Sequence, residues 1–280
     1  MTTRPKLTVM ICTLEERIAR VAPMLLEPRA DVCYIVSWQT TAPDDSCEQA
    51  LAPLKERGDV AVTIYGGSTL SGNRNNAIRA WHTDYGLIAD DDETLTNEGL
   101  DNVIKAFDEN NDADLICFRV VDANGKPHRV YTSHAFDYDK RPRGTYFNSF
   151  EIAMRRSRFL PLFDERFGLN SSYLACGEEE VFVHQAYLNQ LTVRFVPLTI
   201  AIVPFGGTGS KFSTDPKVRR SKGAVLRIIY GKYGAMARII KQAFVPPSKN
   251  SFRNLRDMLQ GLKYIEATEP QHHLGAKTHT

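Results

Sequence analysis

The sequence predicts an α/β fold, a mostly parallel central sheet flanked by helices, on three observations. Residues 6–13 (KLTVMICT), 32–38 and 86–89 are short, continuously apolar runs, the pattern of strands covered on both faces. Segments with apolar residues at helical spacing lie between them. The length, 280 residues, suits one large α/β domain with a sizeable core.

In order, the strand at 6–13 leads into residues 15–26, where Ile18, Val21, Ala22, Leu25 and Leu26 recur at helical spacing and Pro28 ends the element. A second buried run at 32–38 completes a β-α-β unit, right-handed by default. A helix over 47–57, closed by Gly58, and a strand over 60–65 follow. This is a Rossmann-like half, the architecture that binds nucleotides at the carboxyl ends of its strands. The stretch 66–81, GGSTLSGNRNNAIRAW, places a glycine pair and small hydroxyl residues before a helix. Helix N-terminal donors beside the Arg74 guanidinium suit a diphosphate; equally, Ser71 is an ordinary N-cap and Arg74 a surface residue. Residues 99–109 form an amphipathic helix, 114–121 a strand, and the polar segment 122–146 a hairpin or mobile loop. A strand at 150–155, the motif FDERFG at 163–168, a helix from CGEEEVFVHQAYLNQ and an apolar run over 192–203 broken at Pro197 complete the body.

Function centres on residues 85–95, YGLIADDDETL, where a buried strand ends in Asp90, Asp91 and Asp92. Along an extended chain Asp90 and Asp92 point the same way, and a divalent cation relieves their repulsion. Such hard oxygen ligands suit Mg²⁺ or Mn²⁺ with phosphate oxygens in the remaining positions. The plainer alternative is a solvated acidic turn in which Asp91 or Asp92 caps a helix. Glu178, Glu179 and Glu180 open a later helix, where the dipole favours negative charge and mutual repulsion raises one pKa towards that of a general base. First-turn glutamates are also common without any such role, and His184 reads as a satisfied helix histidine.

Seven separate stretches, in one order, carry a resemblance: LTVMICTLEER, GGSTLSGNRNNA, ADDD, SFEIAMRRS, FDERFG, CGEEEVF and VRFVPL. Together they resemble the family 2 glycosyltransferases, with the GT-A fold that binds nucleotide-diphosphate sugars, over about residues 6–209. The resemblance implies a catalytic domain over 1–212, with its nucleotide-sugar half at 1–92 and its acceptor half at 93–212. It implies Asp92 and Asp90 as ligands of Mn²⁺ or Mg²⁺, and Thr13, Glu15, Ser71, Arg74, Asn75, Asp90 and Asp91 around the nucleotide sugar. Arg74 would offset charge on the departing diphosphate. Glu179, standing where the family has aspartate after glutamate, is the expected base, with Glu178 its alternate. The implied reaction is inverting transfer from a donor, a UDP-sugar foremost, to a hydroxyl of a glycan or lipid-linked acceptor, as in polysaccharide assembly. The second strand ends Val36-Ser37-Trp38-Gln39 where the family often has paired aspartates, so Trp38 or Gln39 contacts the base, or Trp38 is core.

Between Asp215 and Asp257 there are 11 basic residues and no acid, leaving 24 basic against 33 acidic elsewhere. The segment 213–265 is expected as a basic helical extension, divided at Gly231 and Gly234, and 266–280 as a disordered tail. Residues 217–245 either lie on an anionic membrane surface or cap the catalytic domain with solvated charges. A nucleic-acid partner is not expected, because the tail lacks a reading motif and the body is acidic. The short apolar run at the N-terminus and the lack of a spanning stretch point to a cytoplasmic protein, peripheral on the inner membrane face if the basic segment binds there. Five cysteines without a CxxC pair read as free thiols. A nucleotidyltransferase, or a non-catalytic membrane- or glycan-binding module, remains as the alternative; the former would want a glycine-rich basic loop where Thr13-Leu14-Glu15-Glu16 stands.

Overall fold

The computed structural model describes residues 4–41, 45–204 and 208–269. Its nine-stranded sheet runs β3-β2-β1-β4-β8-β6-β9-β5, from β1 (Leu7–Leu14), β2 (Val32–Gln39), β3 (Val60–Tyr65), β4 (Tyr85–Asp90), β5 (Thr94–Leu95), β6 (Leu115–Val121), β8 (Ile152–Arg155) and β9 (Val193–Ile202), with β7 (Phe136–Asp137) pairing β9 outside that path. The first four strands are parallel, and β8 enters antiparallel between β4 and β6. Alternate residues of β1 serve separate cores. Leu7, Val9 and Ile11 join one cluster with Leu100 and Phe107, whereas Met10 and Cys12 join another with Ala77, Phe163 and Phe182. Burial on both faces is why β1 reads as an unbroken apolar run.

The helices are α1 (Val21–Met24), α2 (Asp45–Lys55), α3 (Leu70–Ala80), α4 (Asn97–Glu109), α5 (Glu178–Leu188), α6 (Pro216–Phe244) and α7 (Ser251–Ala267). The helix expected over 15–26 is instead a 3-10 helix, Glu15–Arg20, followed by the single turn α1. Glu15 turns the chain at φ +44°, and Pro23 lacks the N–H that a longer α-ladder needs. Thr96, not Asp91 or Asp92, caps α4 by accepting from Gly99 N. The segment 122–146 gains β7 and a 3-10 turn, and is held by Tyr131 and Phe136 stacked on Phe195. β9 continues through Pro197, accommodated where the pairing with β6 slips from Cys117–Phe195 to Arg119–Thr199.

The C-terminal helices pack on each other and on α5. α6 bends at Gly231, whose φ of +67° breaks the helix as the glycine division predicted. Val218, Val225, Leu226 and Ile239 are buried, while Tyr233, Ile240, Val245 and Phe252 are exposed. α7 runs to Ala267 and Arg227 Nε donates to Glu266 Oε1 at 3.1 Å, so the chain is helical where the tail was expected to begin. Residues 270–280, the rest of that expected tail, lie outside the described residues. Cys12, Cys33, Cys117 and Cys176 are free thiols, and no helix among the described residues is long and apolar enough to cross a membrane.

Candidate functional site

Parallel pairing of β1 with β4 puts Cys12 opposite Asp90, so both strands deliver their ends to one place. Beyond Asp90 the chain turns, and strict alternation stops. Asp91 folds inward, where Thr13 Oγ1 donates to its Oδ2 at 2.7 Å and Arg17 donates to its Oδ1. Asp90 and Asp92 remain open, with side chains 28% and 45% exposed. Partial burial, then repulsion from Asp90 and Asp91, raises the Asp92 pKa against the pull of Arg17, 3.6 Å away. Glu93 is buried and accepts from Asp90 N at 2.5 Å; burial and the Asp90 charge push its carboxyl well above the ordinary range. A cavity of about 160 Å³ opens here, lined among others by Thr13, Arg17, Gln39, Asn73, Asp90 and Asp92.

The neighbouring side chains divide between this cavity and the framework. Glu15 takes a bond from Thr40 Oγ1 at 2.8 Å through Oε2, and its carbonyl accepts from Trp38 Nε1 at 3.0 Å. Trp38 is core, whereas Gln39 lines the cavity. At α3 the cap is Thr69, which accepts from Gly72 N, rather than Ser71. Ser71 and Asn75 are wholly buried: Ser71 Oγ donates to Phe167 O at 2.7 Å, while Asn75 exchanges bonds with the backbone of Phe163 and donates to Glu165 Oε1 at 3.0 Å. They clamp the FDERFG loop. Asn73 does the same for the strand ends, donating to Thr13 O at 3.0 Å and accepting from Ser37 Oγ at 2.6 Å.

Arg74 reaches from α3 into the centre of the site and is 2% exposed. Its Nη1 donates to Glu178 Oε1 at 3.0 Å and to Glu179 Oε1 at 3.4 Å. Its Nη2 donates to Asp90 Oδ1 at 3.1 Å and to Ser149 Oγ at 2.7 Å. Burial works against its charge, yet Asp90, Glu179 and Glu178 together raise its pKa. The two glutamates arrive there because Gly177, at φ +95°, adopts a left-handed conformation at the start of α5, and a Cβ on it would stand 2.6 Å from Val225. Burial raises both carboxyls; for Glu179 the second cause is the charge of Glu178. Glu178 Oε2 is buried without a hydrogen-bond partner among the described residues, and its side chain is 5% exposed against 17% for Glu179. Only Glu179 of the pair lines the adjoining cavity, of about 330 Å³, with Tyr146, Phe147, Asn148 and Lys222.

Arg17, Asn73 and Ser149 join the site without having been singled out from the sequence. Arg17 carried a weak signal, a cation a few residues past the first strand; Ser149 carried none. His184 is buried under Tyr138, whose hydroxyl lies 3.3 Å from Nδ1, with its pKa lowered by burial and by Arg141. Among the described residues no group of three or more His, Cys, Asp or Glu could hold a metal ion. Asp90 and Asp92, both open to one cavity and mutually repelling, fit Mg²⁺ or Mn²⁺ as the two carboxylates that such ions take beside phosphate and water.

The family described as glycosyl transferase family 2 matches residues 41–168. S. aureus TarS, as its 1–349 fragment, superposes with a TM-score of 0.59 at 16% identity, covering 94% of this chain and 82% of that one. The same fragment in complex with UDP-GlcNAc gives 0.58 at 17% identity, covering 94% and 83%. Against the longer TarS chain the TM-score is 0.59 at 16% identity, and the overlap is 50% of that chain. No curated protein matches the sequence.

Proposed function

We propose that the chain, whose residues 41–168 match glycosyl transferase family 2 and which has a GT-A fold, moves a sugar, with inversion, from a nucleotide-diphosphate donor, foremost a UDP-sugar, to a hydroxyl of a glycan or lipid-linked acceptor. The observation that carries this is Arg74, a buried cation joining Asp90 on one side to Glu178 and Glu179 on the other. The donor lies in the cavity of Thr13, Gln39 and Asp92, and the acceptor in the cavity of Glu179. The presence of UDP and UDP-GlcNAc in the TarS complexes supports a uridine donor.

Glu179 acts as the base. Its carboxylate takes the proton of the acceptor hydroxyl as that oxygen bonds to the anomeric carbon, while the anomeric carbon–phosphate oxygen bond breaks and its electrons leave with the nucleoside diphosphate. Burial and the Glu178 charge raise its proton affinity, which suits proton uptake. Arg74 holds Glu178 and Glu179 in place, and Arg17 brings positive charge to the donor cavity. Mn²⁺ or Mg²⁺, held by Asp92 and Asp90, would offset charge on the departing diphosphate. Exposed Tyr233, Ile240, Val245 and Phe252, among Lys232, Lys241, Lys249 and Arg253, support contact with an anionic membrane where a lipid-linked acceptor resides.

A thermal-shift panel of UDP, GDP, dTDP and CMP sugars, with and without Mn²⁺, tests the reading. Stabilisation by a UDP-sugar, larger with Mn²⁺, is expected. No shift with any of them contradicts it.

A further inference from the structure

The Glu179 cavity continues into a second one of about 480 Å³, sharing Tyr146, Phe147, Glu180, Lys222 and Val225 with it and bounded by residues 138–147 and α6. Charge in this second cavity is unbalanced. Arg141, Arg143, Lys222 and Arg238 line it, against Asp139 and Glu180. Lys222 lies 3.7 Å from Glu180, but none of the three arginines has a carboxylate partner among the described residues. Arg141 and Arg238 are held in place by aromatic faces: each guanidinium carbon sits 3.7 Å from a ring centroid, over Tyr138 and Tyr230 respectively. Each gives a single hydrogen bond to a nearby carbonyl, Arg141 to Tyr138 O at 2.7 Å and Arg238 to Gly234 O at 3.2 Å. A guanidinium stacked on a ring keeps donors at its edge, in the fork geometry that matches two oxygens of an oxyanion. A merely solvated surface charge needs neither a concave wall nor a stacking platform. Here both occur, on two separate elements, beside the proposed base.

We propose that the acceptor carries an oxyanion, a phosphodiester or a carboxylate, which docks on Arg141, Arg143 and Arg238 while the reacting hydroxyl lies at Glu179. This deepens the acceptor reading and rests on it. The acceptor class is thus an anionic chain, with its charge set back from the hydroxyl that is glycosylated. Neutral glycans lack the group that would neutralise these arginines.

The test titrates three dye-labelled probes into the full chain: a glycerol-phosphate hexamer, a galacturonate hexamer and neutral maltohexaose. At least one anionic probe should bind about tenfold more tightly than maltohexaose, and more weakly as salt rises. The triple variant Arg141→Ala, Arg143→Ala, Arg238→Ala should lose that preference. Arg143→Ala alone, at an exposed position without a partner among the described residues, should leave the fold intact and weaken the anionic probe about threefold. The tighter of the two anionic probes identifies phosphodiester or carboxylate. Equal binding of maltohexaose, no binding of either anionic probe, or unchanged binding by both variants overturns the proposal. UDP-GlcNAc titrated into the same proteins separates the readings. It should bind wild type and variants alike, and its failure on wild type alongside arginine-dependent oxyanion binding would count against the donor assignment only.

Discussion

The turn Asp90–Asp92 and the helix start Glu178–Glu179 are both runs of adjacent carboxylates, and the protein balances their charge from opposite directions. In the turn, Thr13 and Arg17 engage Asp91, and Asp92 is left half-exposed with a raised pKa. At the helix start the counter-charge is internal, a single buried guanidinium aided by the dipole of α5. Asp90 touches the same guanidinium, so the two clusters share one cation. The proposed roles follow this division: the helix start, with its buried arginine, would supply the base, and the open turn would take the cation and phosphate.

Breaking the helix-start side should have the largest effect. Glu179→Gln should lower transfer by about 10²–10⁴-fold, the usual contribution of a general base, with UDP affinity unchanged, as read by product formation beside calorimetry. Arg74→Met leaves Asp90, Glu178 and Glu179 without their buried cation. We expect about 3–5 kcal/mol of lost stability in denaturant unfolding, whereas Asp92→Asn, which removes a repelled and half-exposed charge, should change it by no more than about 0.5 kcal/mol. Equal losses in the two variants would remove the distinction between the clusters. The pH profile sharpens it further. Burial and the Glu178 charge raise the Glu179 pKa, and the deprotonated form is the active one, so kcat/KM should rise with pH through a limb above the ordinary 4.5 of a glutamate. A limb at or below that value would exclude Glu179 as the base. The smallest effect concerns the surface: vesicles with anionic lipid should float the wild type, and Tyr233→Ser with Phe252→Ser should reduce the floated fraction.

The strands were legible because burial on both faces leaves an unbroken apolar run, and the acids at the end of β4 were legible because charge seldom follows such a run without cause. What Arg74 does was not, since its partners Glu178 and Glu179 lie 104 and 105 residues away and local sequence says nothing of them. The family resemblance implies Ser71 and Asn75 beside the nucleotide diphosphate. The fold turns both towards the FDERFG backbone instead. Residues 122–146 look like loop because their anchor is Phe195, an aromatic contributed by β9. The 15–26 periodicity misled for a local reason, a positive φ at Glu15 and the proline at position 23.

The most direct test of the division between the clusters is calorimetric titration of UDP into wild type and Asp92→Asn, each with and without Mn²⁺. Wild type should bind UDP more tightly with Mn²⁺, and the variant should lose that gain. UDP affinity indifferent to Mn²⁺ in the wild type, or a gain that survives in Asp92→Asn, would contradict the account.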